Sequence, residues 1–140
     1  MRGRGGAHVT RRHAGQWAPT ATVPSQLTAG AGGGLSSSHN AGRDCLTCHR
    51  AFGVAGTVYR ADGSAYPGAT VRLTTAPSGG GSVALSLTSD GTGNFYASRS
   101  VGFGAGLYTD VTGTTGAARA MTAAVTSGAC NSCHDAQNRI

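Results

Sequence analysis

Between residues 52 and 126 the chain alternates small apolar and polar positions with a period of two. Ala69, Val71 and Leu73 interleave with Thr70, Arg72 and Thr74, and Val83, Leu85 and Leu87 with Ala84, Ser86 and Thr88. Val54, Gly56 and Val58 begin the series. One apolar face repeating every second residue is the pattern of half-buried strands. Turn signals separate the runs: Asp62-Gly63, Pro67-Gly68, Ser78-Gly79-Gly80-Gly81 and Asp90-Gly91-Thr92-Gly93-Asn94. Further strands are expected over Phe95–Ser98, Gly106–Val111 and Ala118–Thr126. Six short strands at this spacing predict a mainly β fold, an antiparallel β-sandwich.

The flanks break the pattern. Residues 1–38 form a Gly/Ser/Ala-rich arm in which Val9, Trp17, Val23, Leu27 and Leu35 follow no period. Residues 39–51 and 127–140 each carry one cysteine-rich motif, giving four segments: arm, first motif, sandwich and second motif. Leu, Ile, Val and Phe together number only 20 of 140 residues. That share lies below the roughly 20% under which charged chains tend to stay disordered. A bound cofactor or a partner chain is therefore expected to complete the core.

Charge narrows the function classes. All basic residues are arginine and all acids aspartate, with a net charge of +6. The arginines are scattered without a basic stripe or aromatic platform, which argues against nucleic-acid binding. No run of about 18 apolar residues exists, so a transmembrane span is not expected.

Val54-Ala55-Gly56-Thr57-Val58-Tyr59, Pro67-Gly68-Ala69-Thr70-Val71-Arg72-Leu73 and Thr88-Ser89-Asp90-Gly91-Thr92-Gly93-Asn94-Phe95 resemble the carboxypeptidase regulatory-like (transthyretin-like) sandwich. The resemblance covers residues 53–112 and implies a structural or interaction module without chemistry of its own.

The chemistry lies in the cysteines. All four fall in two copies of one pattern, Cys45-Leu46-Thr47-Cys48-His49 and Cys130-Asn131-Ser132-Cys133-His134. C-x-x-C-H is the attachment signature of c-type haem. Two thiols add to the vinyl groups along one porphyrin edge, and the following histidine supplies an axial nitrogen to iron. On that reading Cys45, Cys48, Cys130 and Cys133 hold two covalent haems, and His49 and His134 are the proximal ligands. Zinc is the competing metal, but ribbon pairs stand about 15–20 residues apart, whereas these pairs sit at opposite ends of the sandwich. Labile Cys-x-x-Cys disulfides are the other alternative.

Three further histidines, His8, His13 and His39, all precede the first motif and are the candidate distal ligands. Met121 reads as packing in an apolar run, and Arg43, Arg50 and Arg139 are candidate partners for haem propionates. His39 followed by Cys45-Leu46-Thr47-Cys48-His49 resembles multihaem cytochromes, in which an upstream histidine often supplies a sixth ligand. The resemblance extends to small cytochromes that stack into extracellular filaments and exchange histidines between subunits. It implies a homopolymer with inter-subunit ligation, leaving open which of the three histidines serves which haem.

The expected protein is thus an exported, non-enzymatic dihaem electron carrier, periplasmic or extracellular, working with redox proteins or extracellular acceptors. A peroxidase or reductase needs an open iron position with acid–base groups nearby, and no such constellation stands out. The remaining alternative is a β-sandwich binding or adhesion module with structural or sensory haems. Covalent attachment takes place outside the cytoplasm, yet Met1–Thr20 contains no apolar leader core. The export leader is not visible within this sequence.

Overall fold

A computed structural model describes residues 38–139. The chain opens with a one-turn helix α1 (Cys45–Cys48) and then enters strand β1 (Val54–Thr57). Strands β2 (Thr70–Thr74), β3 (Val83–Thr88), β4 (Asn94–Ala97), β5 (Tyr108–Thr112) and β6 (Ala118–Ala120) follow, and a 3₁₀ turn spans Cys130–Ser132. All named strand pairs are antiparallel. They build a four-stranded sheet in the order β3-β2-β5-β6 and a two-stranded sheet of β1 and β4. The mainly β, antiparallel expectation thus holds among the described residues.

In the larger sheet β2 and β3 follow the alternation from Val71 to Leu73 and from Leu85 to Leu87. Val83, expected on the apolar face, is exposed, and β5 buries Thr109, Asp110 and Val111 in a row. Val71 and Leu73 on β2, and Leu85 and Leu87 on β3, point into the core, where they meet Val54 of β1 and Phe95 and Ala97 of β4. Burying each such Val or Leu contributes roughly 1.5–3 kcal/mol. On the opposite face Arg72 and Asp110 are direct cross-strand partners, with Arg72 Nε donating to Asp110 Oδ1 at 2.9 Å.

Two further expectations shift. The run Ala118–Thr126 forms a strand only over Ala118–Ala120, and all three of those residues are exposed. Val125 rejoins the sheet by exchanging backbone hydrogen bonds with Leu107, while Thr122, Ala123 and Ala124 leave the ladder. Ala124 crosses over Gly106 there, so close that a Cβ at Gly106 would stand 2.8 Å from that of Ala124. The other departure is β1, whose four residues are all buried rather than half-buried.

The reason for the burial of β1 is its second edge. One edge pairs with β4. Along the other runs the C-terminal segment, with a parallel bridge between Ala55 and Ala129 and a hydrogen bond from Ala55 N–H to the Gly128 carbonyl at 2.9 Å. The segment leading into the second motif therefore lies along β1, and residues 50–53 connect the first motif to the same strand. Among the described residues no helix is long and apolar enough to cross a membrane.

Candidate functional site

Both cysteine motifs take the same local shape. In each, the histidine N–H donates to the carbonyl of the first cysteine, His49 to Cys45 at 2.8 Å and His134 to Cys130 at 3.1 Å. This i to i−4 closure is one helical turn. Asp44 starts the first turn as N-cap, accepting from Leu46 N–H at 3.1 Å. Ser132 braces the second, its hydroxyl donating to the Ala129 carbonyl at 2.6 Å.

The sandwich places a second imidazole beside the first motif. The His39 and His49 ring centroids are 5.7 Å apart, and the rings are inclined by 54°. His49 also stacks on Phe52, and Phe52 on Tyr96 of β4, each at 4.7 Å. The β4 turn anchors the backbone at His39. Ser38 donates through its N–H to Asp90, and Asn94 Nδ2 donates to Ser38 Oγ at 2.8 Å and to the His39 carbonyl at 3.3 Å. Burial disfavours the charged form of Asp90, but hydrogen bonds from Ser38, Thr92 and Asn94 outweigh it and hold the carboxyl below its usual range.

The second motif is tied differently. Cys130 packs at the edge of the core, and Gly56 on β1 has no room for a side chain: a Cβ there would lie 2.6 Å from Phe95 Cζ and 2.8 Å from Cys130 Cβ. Burial pushes the Cys130 thiol up to about 11. His134 Nδ1–H donates to the Asn138 carbonyl at 2.9 Å. Asp135 forms that turn by accepting from the N–H groups of Gln137 at 2.8 Å and Asn138 at 2.7 Å.

Each motif borders its own cavity. The first, about 710 Å³, is lined by Cys45, Cys48, His49, His39 and Arg43. The second, about 480 Å³, is lined by Cys130 and His134 together with Arg60, Arg119 and Arg139. Both volumes fall in the range of about 300–1,000 Å³ typical of cofactor and ligand sites. Arg43 and Arg139 thus stand where the sequence suggested, while Arg60 and Arg119 carried no sequence signal. Arg50 is exposed. Met121 is half-buried and donates its N–H to the Thr109 carbonyl at 2.8 Å. His8 and His13 lie outside the described residues.

The donor chemistry can be weighed directly. Among the described residues no three His, Cys, Asp or Glu side chains converge on a common point, which a tetrahedral zinc site requires. Haem c has no such requirement, since its two thioethers spread along a macrocycle edge. A redox Cys-x-x-Cys pair needs a thiol of depressed pKa. Both leading cysteines run the other way: burial raises Cys45 as it raises Cys130. At the first motif both thiols and the histidine line the cavity, a donor set compatible with haem c. At the second, Cys130 and His134 line it, while Cys133 is exposed and stands outside the lining.

Comparison of the chain with protein families, with characterised proteins and with solved structures finds no match to any of them.

Proposed function

We propose that this chain is an exported dihaem c-type cytochrome that carries electrons. The observation that supports it most is the pair of C-x-x-C-H turns with the same histidine-to-cysteine hydrogen bond, each facing its own cavity and both seated on β1. Cys45 and Cys48 would hold one haem and Cys130 and Cys133 the other, with His49 and His134 as proximal ligands. Haem iron supplies a one-electron couple whose potential follows from its axial ligands and surroundings.

The chain's own residues prepare that chemistry. Asn138 accepts the Nδ1–H of His134 and leaves Nε2 as the free donor nitrogen, the arrangement usual for metal-ligating histidines. His39 is the distal candidate at the first motif, because the β4 turn delivers it next to His49. The lining of the second cavity contains neither His39 nor His49. His8 or His13, from the same chain or a neighbouring copy, takes that role in this reading. The second alternative extends the carrier into a homopolymer. The transthyretin-like resemblance assigns the sandwich the role of spacer and docking surface toward redox proteins or extracellular acceptors.

The absorption spectrum of the natively exported protein tests the proposal. Sharp low-spin bands on reduction, unchanged by carbon monoxide, with the added mass of two haems, are expected. The absence of a Soret band would overturn it, and a large carbon monoxide response would replace the carrier with a ligand-binding haem protein.

A further inference from the structure

Asn131 is the first variable position of the second motif, yet its amide is spent on the first. Its Oδ1 accepts from the Thr57 N–H of β1 at 2.9 Å, taking the ladder position that a backbone carbonyl would fill. Its Nδ2 donates to the Arg43 carbonyl at 2.8 Å, two residues ahead of Cys45, and to Thr57 Oγ1 at 3.0 Å. Thr57 Oγ1 also accepts from Gly42 N–H at 2.9 Å and donates to Asn94 Oδ1 at 2.6 Å. Asn94 in turn donates to the Ser38 hydroxyl and the His39 carbonyl. One continuous polar chain thus runs from inside the second motif, through β1, to both sides of the first.

The network is closed and largely shielded. Thr57 is 7% and Asn94 4% exposed. A buried polar group left without its partner loses its hydration without replacement, so Thr57 and Asn94 hold each other in place, while the Asn131 contact to the Arg43 carbonyl lies at the surface. The two sites cannot then move independently. Electron exchange between two centres depends steeply on their separation, so a fixed spacing has functional value.

Resting on the dihaem reading, we infer that Asn131 is a positioning residue that locks the two cysteine motifs at one spacing across β1. Its carboxamide is required because the task needs an acceptor toward Thr57 and donors toward Arg43 at once. Asn131→Asp keeps the acceptor and loses the donors, while Asn131→Ala loses both.

The test uses the natively exported full chain and its two variants, read by native-state hydrogen exchange and by electron paramagnetic resonance of the oxidised protein. Asn131→Ala should raise exchange at Thr57 and across residues 42–49, leaving Val71 and Val111 in the large sheet unchanged. Asn131→Asp should loosen residues 42–49 while Thr57 stays protected. The magnetic coupling between the two irons, uniform in the parent protein, should broaden in both variants. Exchange that rises only around residues 129–134, with unchanged coupling, would overturn the inference. So would global unfolding of both variants, which would make the amide a requirement of the sandwich as a whole. If the parent chain carries no haem, the dihaem reading fails, and the exchange pattern alone still decides whether Asn131 joins the two motifs.

Discussion

The two motifs are the same pentapeptide pattern set in opposite surroundings. The first has a stack of His49, Phe52 and Tyr96 and a second histidine brought alongside. The second has a leading cysteine packed against the edge of the core, a histidine fixed through Nδ1, and a cavity lined by Arg60, Arg119 and Arg139. The turn itself is local, since spacing alone closes the histidine N–H onto the first cysteine carbonyl. Everything that distinguishes the sites comes from the sandwich. At the first, β4 and its turn supply the neighbours; at the second, they come from β1, β5 and β6 and the C-terminal turn.

The sharpest way to break the comparison is to remove the group that only one site has. On the proposed dihaem reading, His39→Ala should leave the iron at the first motif with an open position. The reduced protein would then bind carbon monoxide at about half of its haem, a fraction read from the Soret change. His39 does not line the second cavity, and that site should keep its spectrum. A variant that remains silent to carbon monoxide would place the distal ligand of the first site elsewhere, and one that opens both irons would make the sites one unit.

A milder change separates the anchors. Asp90 holds Ser38, the residue before His39, to the β4 turn, and its carboxyl is kept below its ordinary range. A depressed carboxyl stabilises the fold fully above the unfolded value of about 3.9, and the gain is lost as pH falls through the lower folded value. Acidification below about pH 4 should therefore raise hydrogen exchange at residues 38–49 before the large sheet responds. Asp90→Asn should bring the same loosening to neutral pH. If the core strands and residues 38–49 open together along the acid titration, Asp90 is not the anchor of the first site.

Much of this was legible in the chain, for reasons of reach. Strands β2 and β3 follow from alternation within six residues, because Val71, Leu73, Leu85 and Leu87 need only one apolar face to point inward. The motif turns are equally local. β1 was misjudged as half-buried because its second face is covered by residues 128–131, which are remote in the sequence. The short β6 depends on Ala124 crossing Gly106, a contact that alternation does not encode. Asn131, Thr57 and Asn94 had no signal at all. Asn94 reads as a turn residue, Thr57 as a strand residue and Asn131 as a free position within a motif. Their hydrogen bonds join segments 37 and 74 residues apart. His39 was found from its place before the motif, but the Asp90 and Asn94 contacts that hold it belong to the tertiary fold.

The smallest expected effect tests whether the second site is tuned by its own tail. Asp135 touches neither the imidazole nor the cavity; it accepts the Gln137 and Asn138 N–H groups and so presents the Asn138 carbonyl to His134 Nδ1. Outer partners of this kind fix the ring orientation and raise the basicity of the ligating nitrogen. Asp135→Ala should release that carbonyl and move the potential of the second haem upward, because a less basic ligand stabilises oxidised iron less. A potentiometric titration would show one component displaced and the other in place. Asp135→Asn retains an acceptor oxygen for both N–H groups and should restore most of the original value. Displacement of both components would mean that the tail acts through the global charge, and displacement of neither would leave His134 held by the turn of its own motif.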